Sequence, residues 1–218
     1  MAVLIVALDV PTLREAERLM AALEPDVRWF KIGLELYTAA GPDAVTTARR
    51  RGGRVFLDLK LHDIPATVAR ATAAAGRLGA ALLTVHSSGG EEMLRAAAAV
   101  RRRPKLVAVT ALTSLPATRS RIRALGNAAL AAGCDGLVMA PSEAALFPGR
   151  GIVRVTPGVR MSGDASHDHA RSATPAEAVR AGATHLVVGR PVRDARDPRA
   201  AARAILAEIR AATSGRRG

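Results

Sequence analysis

Three charged side chains close a short apolar run at residues 56–63, Phe-Leu-Asp-Leu-Lys-Leu-His-Asp, and an Ile-Pro turn follows at once. Their types and spacing suit a proton-transfer site. Side chains along a strand alternate faces, with neighbours on one face ~7 Å apart, so Phe56, Asp58 and Lys60 share a side. Charges at the end of an apolar strand are costly to desolvate unless they pair. With Lys31 and Asp63, the Asp58 and Lys60 pair makes an alternating set of cations and anions if the second and third strands are neighbours. A carboxylate beside a lysine favours its ammonium form. A charged lysine is a poor Schiff-base nucleophile but a good acid, and when fixed in place it stabilises negative charge developing on a substrate carbon. The chemistry this predicts is a carbanion-like transition state followed by protonation. The plainer alternative is a buried ion-pair cluster that only props up the fold.

The elements that must position these groups follow a strand-then-helix rhythm. Apolar, β-branched runs occur at 3–9, 28–32, 54–60, 82–86, 105–110, 136–139, 152–156 and 185–189. Alanine-rich amphipathic stretches separate them, at 12–24, 41–51, 64–78, 89–102, 119–132 and 197–211. Eight such strands in 218 residues predict a (β/α)8 barrel, near the short end of that fold's range. A doubly wound open sheet is the main rival, but it usually needs fewer strands for this length. The barrel is expected to be one domain over 1–212, with a frayed tail at 213–218. Glycines at 52, 79, 133 and 182 stand where helices should end.

A barrel of this kind collects its reactive groups at the C-terminal ends of the strands and builds a phosphate site after strands seven and eight. Polar residues stand at those ends: Asp9, Lys31, Asp58, Lys60, His86 and Thr110. Strand seven runs into Thr156-Pro157-Gly158-Val159-Arg160, and strand eight into Gly189-Arg190. Gly189 lets backbone N–H groups approach an anion closely, and Arg190 offers a planar fork for phosphate oxygens. Arg160 can close from the opposite side, and the polar segment 161–173 reads as a lid.

Composition narrows the function classes. Hydrophobic residues make up 49% of the chain, enough for a packed core, and no apolar run reaches the length that spans a membrane. The opening run meets Asp9 without a basic leader and reads as a buried first strand, not a signal peptide. The formal charge of +13 raises the question of nucleic acid, but with only five aromatic residues base-stacking platforms are scarce. The arginine runs at 49–51 and 101–103 fall where helices should end, so a solvated surface is the expected reading. Neither a nucleic-acid nor a membrane partner is expected. The single cysteine, Cys134, reads as a buried filler and suits a cytoplasmic protein. His86 reads as a hydrogen-bonded wall residue, His62 as a brace of the turn, and His167-Asp168-His169 as a poor zinc site; no metal is expected.

The string Asp58-Leu59-Lys60-Leu61-His62-Asp63-Ile64-Pro65-x-Thr67 closely resembles the signature of orotidine 5′-phosphate decarboxylases. So do Ala7-Leu8-Asp9, Phe30-Lys31-Ile32-Gly33, Val85-His86, Val109 to Ser114, Thr156 to Arg160 and Val187-Val188-Gly189-Arg190, in the same order along nearly the whole chain. The resemblance implies a homodimeric barrel that converts orotidine 5′-phosphate to uridine 5′-phosphate and carbon dioxide, the last step of de novo UMP synthesis, without metal or organic cofactor. It implies that Lys60 protonates C6, that Asp58 lies beside the substrate carboxylate, and that Lys31 completes the charge network. Asp63, Ile64 and Thr67 would reach into the partner's site. Asp9 would bind the ribose and Thr113 and Ser114 the pyrimidine, while Pro157, Arg160, Gly189 and Arg190 would surround the phosphate. Where the family usually has a glutamine bridging phosphate and pyrimidine, this chain has His169. The nearest alternative is a magnesium-dependent sugar-phosphate decarboxylase or synthase of the same superfamily, which shares the Asp-x-Lys-x-x-Asp spacing. The Ile64-Pro65-x-Thr67 continuation and the run from Thr110 to Ser114 favour the pyrimidine enzyme.

Overall fold

Strands that are apolar on both faces need cover on both, and parallel pairing beneath a ring of helices supplies it. The computed structural model describes residues 2–111, 117–149, 151–161 and 173–214. Its strands are β1 (Val3–Ala7), β2 (Trp29–Ile32), β3 (Arg54–Leu61), β4 (Leu82–His86), β5 (Lys105–Val109), β6 (Gly136–Val138), β7 (Val153–Thr156) and β8 (His185–Val188). All pair in parallel and in chain order, and β8 returns to β1, with Val3 opposite His185, to close the barrel. The helices are α1 (Leu13–Leu23), α2 (Leu34–Ala40), α3 (Pro42–Arg50), α4 (Pro65–Leu78), α5 (Glu91–Ala98), α6 (Arg119–Ala131), α7 (Pro175–Ala181), α8 (Arg190–Arg193) and α9 (Pro198–Ser214). This is the (β/α)8 barrel that the strand-helix rhythm predicts.

Three short helices, α2, α7 and α8, are not visible in the sequence pattern, because each is too brief to display an amphipathic period. Between β6 and β7 a 3-10 stretch, Pro141–Leu146, stands where other units carry an α-helix. Prolines at 141 and 148 and glycines at 149 and 151 leave no uninterrupted length there for a longer one. Gly79 ends α4 at φ 77° and Gly182 ends α7 at φ 110°, left-handed conformations that cost other L-residues ~1–2 kcal/mol.

Strand alternation divides the core in two. Ile5, Ala7, Phe56, Leu82, Val107, Val153, Val155 and Val187 fill the barrel interior. Leu4 and Val6 of the first strand, and Leu8 just after it, face outward with Phe30, Ile32 and Leu57, against Met20 and Leu23 of α1 and Ile205 and Ile209 of α9. Each fully buried side chain of this size contributes roughly 1.5–3 kcal/mol. Cys134 is buried, and burial pushes its thiol up to about 12, so it is the inert filler expected. No helix among the described residues is long and apolar enough to cross a membrane.

At the N-terminal end of the barrel two cationic or titratable side chains flank the Trp29 ring. The Arg54 guanidinium lies 4.4 Å from the Trp29 ring centroid, and His185 meets the same ring edge-on at 5.4 Å. Burial, helped by Lys105 and Arg54, lowers the His185 imidazole to about 4. It is therefore neutral at physiological pH, with Nδ1 2.9 Å from the Thr184 hydroxyl.

Candidate active site

The inward-facing row of each strand changes character at its C-terminal end. In β1 the row Ile5-Ala7 continues to Asp9; in β2 Trp29 is followed by Lys31; in β3 Phe56 is followed by Asp58; in β8 Val187 is followed by Gly189. Lys31 lies on the strand next to β3, paired with Phe56. The result is a row of alternating charge: Lys31 Nζ is 2.7 Å from Asp9 Oδ1 and 3.9 Å from Asp58 Oδ2, and Lys60 Nζ is 2.9 Å from Asp58 Oδ2. The Asp58 side chain is only 13% exposed while that of Lys60 is 34% exposed, so the carboxylate is sunk and the ammonium stands at the mouth. Gly33 leaves room for the row: a Cβ there would lie 2.9 Å from Lys31 Nζ and 3.0 Å from Asp9 Oδ1.

Lys60 itself sits in a distorted part of β3. Register against β4 shifts between Leu57 and Leu61, and the Lys60 backbone has φ 50°. Thr84 of β4 fills the gap. Its hydroxyl accepts from Lys60 N–H at 2.7 Å and donates to Asp58 Oδ1 at 3.0 Å. Neither the bulge nor the role of Thr84 carries a signal in the sequence.

Beyond Lys60 the chain turns outward. Asp63 is exposed and its Oδ1 accepts from the Ile64 N–H at 2.6 Å. Within one chain, the alternating row therefore ends on Asp9 and does not include Asp63. Ile64 is 64% exposed, an unusual position for so large an apolar side chain, and Thr67 lies in the first turn of α4 beside it. His62 stacks on His86 with ring centroids 5.5 Å apart. Burial first, then His62 and Lys60, hold the His86 imidazole below its ordinary range. His86 Nδ1 accepts from the Ser88 N–H at 3.4 Å, which fits the wall-residue reading.

Two contiguous cavities open at this end of the barrel and share Lys31, Pro157 and Val187. The smaller, about 220 Å3, is walled by Phe56, Val109, Ala111, Val138, Val155 and Val187 and carries Asp58 and Lys60. The larger, about 430 Å3, is lined by Asp9, Gly158, Arg160, Gly189, Arg190 and Arg193. One is an apolar slot with the Lys60 side chain at its edge; the other is an arginine-rich hollow after β7 and β8, the position where barrels of this type can hold an anion. Arg193 escaped the sequence reading. It reaches back from α8 to donate to the Asp9 carbonyl at 2.7 Å and to Asp194 Oδ2 at 2.9 Å. The Arg160 N–H donates to the Ala173 carbonyl at 3.1 Å, pinning together the two ends of the 161–173 segment. Thr113, Ser114 and His169 lie outside the described residues. A larger cleft of about 780 Å3 opens at the N-terminal end, around Ala2, Gly182 and Thr184, but no carboxylate lines it.

Comparison with known proteins identifies the family. The family model described as Orotidine 5′-phosphate decarboxylase / HUMPS family matches residues 2–205. A protein of Anaeromyxobacter dehalogenans named orotidine 5′-phosphate decarboxylase is 50% identical over 93% of this chain and 96% of its own length. One of the same name from Halorhodospira halophila is 49% identical over 96% of both. The crystal structure of orotidine 5′-phosphate decarboxylase from Lactobacillus acidophilus superposes with a TM-score of 0.83 at 34% identity, covering 96% of this chain and 99% of that one. With the match spanning nearly the whole barrel, the chain is an enzyme of the orotidine 5′-phosphate decarboxylase / HUMPS family.

Proposed function

We propose that this chain is a cytoplasmic carboxy-lyase that converts orotidine 5′-phosphate to uridine 5′-phosphate and carbon dioxide, the closing step of de novo UMP synthesis. The observation that carries the reading is the Lys60 ammonium, 2.9 Å from Asp58, at the edge of an apolar slot that adjoins the arginine-lined cavity. The phosphate binds between Arg160 and Arg190 at Gly189, and the ribose lies along Asp9 and Lys31. The pyrimidine enters the slot, its carboxylate against Asp58, with Thr113, Ser114 and His169 as its further contacts. The C6–carboxylate bond breaks, its electron pair stays on C6, and carbon dioxide leaves. Lys60 stabilises that pair and then delivers a proton to C6, which water later restores. Preorganised charge of this kind acts in the transition state more than in the ground state. Phosphate contacts, remote from the breaking bond, hold the ring in register.

We also propose that the enzyme is a homodimer in which Asp63, Ile64 and Thr67 complete the partner's site. The exposure of Ile64 and the outward turn after Lys60 support this. Mixing inactive Lys60→Ala and Asp63→Ala proteins should restore up to about a quarter of wild-type activity, since a mixed dimer has one intact site of two. No recovery under conditions that exchange subunits would refute the shared site.

The activity is tested by incubating the protein with orotidine 5′-phosphate and EDTA and following ultraviolet absorbance. Loss of the orotate band despite chelation, reduced by about a thousandfold or more in Lys60→Ala, is expected. Both oxygens of Asp58 already accept from Thr84 and Lys60, which favours a reaction that recruits no cation there. A strict magnesium requirement would instead point to the sugar-phosphate branch.

A further inference from the structure

Among the described non-glycine residues, Lys60 and Arg102 have positive φ, at 50° and 57°. Arg102 lies in a turn after α5, where such a backbone is common enough. Lys60 lies inside a strand, where it is strained. The pairing explains it. Leu57 stands opposite Leu83 and Leu61 opposite Val85, so four steps along β3 are matched by two along β4. Asp58, Leu59 and Lys60 therefore share one opposing residue, Thr84. A bulge of this kind leaves a backbone donor without its ladder partner.

The Thr84 hydroxyl supplies that partner. It accepts from the Lys60 N–H at 2.7 Å and gives its single proton to Asp58 Oδ1 at 3.0 Å. Both directions are fixed, because an amide N–H only donates and a carboxylate only accepts. The other oxygen of Asp58 receives the Lys60 ammonium at 2.9 Å. One hydroxyl thus ties the main chain of Lys60 to the carboxylate that grips its side chain. Thr84 is fully buried and β-branched, so the hydroxyl has little freedom to turn away.

We propose that Thr84 is a positioning residue: its hydroxyl holds the β3 bulge in the strained form that aims the Lys60 ammonium and sets the tilt of the Asp58 carboxylate. The inference rests on Lys60 being the proton donor and adds that turnover depends on a group that never meets substrate.

Thr84→Val keeps the shape and removes both bonds; Thr84→Ser keeps the hydroxyl. The Val variant should lose about ten- to a hundredfold in kcat with KM within about threefold of wild type, and the Ser variant should stay within about threefold in both. In a crystal structure of the Val variant, Lys60 should leave the positive-φ region or draw its Nζ more than about 4 Å from Asp58. The proposal is overturned if the Val variant stays within about twofold of wild-type kcat, or if Ser falls as far as Val. It is equally overturned if the Val structure keeps both the positive φ and the ion pair. Should Thr84→Val not fold, Thr84→Ala carries the same comparison. A wild-type protein inert toward orotidine 5′-phosphate would refute the activity instead, and the crystal structures would still decide whether Thr84 holds Lys60.

Discussion

The two ends of this barrel are made from the same strands and treat charge in opposite ways. At the N-terminal end Arg54 covers Trp29, and His185 stays neutral against the same ring. The His185 ring has the Thr184 hydroxyl beside its Nδ1 at 2.9 Å. At the C-terminal end four charges stand in a single row, Lys60 departs from strand geometry, and two cavities open. One end is arranged for stability; the other holds strain and a row of partly desolvated, paired charge that folding alone would not select. The contrast gives a criterion for function that does not depend on resemblance.

It can be broken most sharply at Lys60. Removing the ammonium should lower kcat/KM by about a thousandfold or more. The nature of the replacement then separates strain from charge. Because φ is positive, Lys60→Gly should be more stable than Lys60→Ala by about 1 kcal/mol, the reverse of the usual order inside a strand. Equal unfolding midpoints in urea would show that the backbone there stores no strain. Next in size, Arg190→Ala should reduce kcat/KM by about a hundredfold, with most of the loss in KM and little change in stability. A loss confined to stability would make Arg190 part of the scaffold.

Changes at the base should do the opposite. The His185 imidazole is lowered to about 4 by burial, below its unfolded value of 6.5. As pH falls through this window the unfolded chain takes up the proton first. Stability from this group is thus complete above about 6.5 and declines toward 4, by about 2–3 kcal/mol. His185→Gln should flatten that part of the stability profile while leaving kcat at neutral pH unchanged; an unaltered slope between pH 4 and 6.5 would contradict this. Smallest of all, Arg54→Ala should cost about 0.5–1 kcal/mol through the lost cation–π contact and leave turnover alone. An activity loss there would blur the division between the two ends.

Much of the mouth was legible because strand alternation is a local rule. Once Ala7, Phe56 and Val187 are read as interior, Asp9, Asp58 and Gly189 follow at the next inward positions. The barrel itself followed from recurring β-branched runs. What alternation could not supply was anything set by pairing between strands. The shift that brings Thr84 alone against three residues of β3 exists only once β4 is in place. Spacing grouped Asp63 with Lys60, but the chain turns outward after the bulge, and Asp9 provides the second carboxylate beside Lys31. Arg193 reaches the Asp9 carbonyl across 184 residues of sequence, a contact that no local pattern encodes.

The most direct test of the central claim is a crystal structure with uridine 5′-phosphate bound. Productive geometry predicts pyrimidine C6 within about 3.5 Å of Lys60 Nζ, with the phosphate between Arg160 and Arg190. A nucleotide whose phosphate binds away from those arginines, or whose C6 faces away from Lys60, would contradict it.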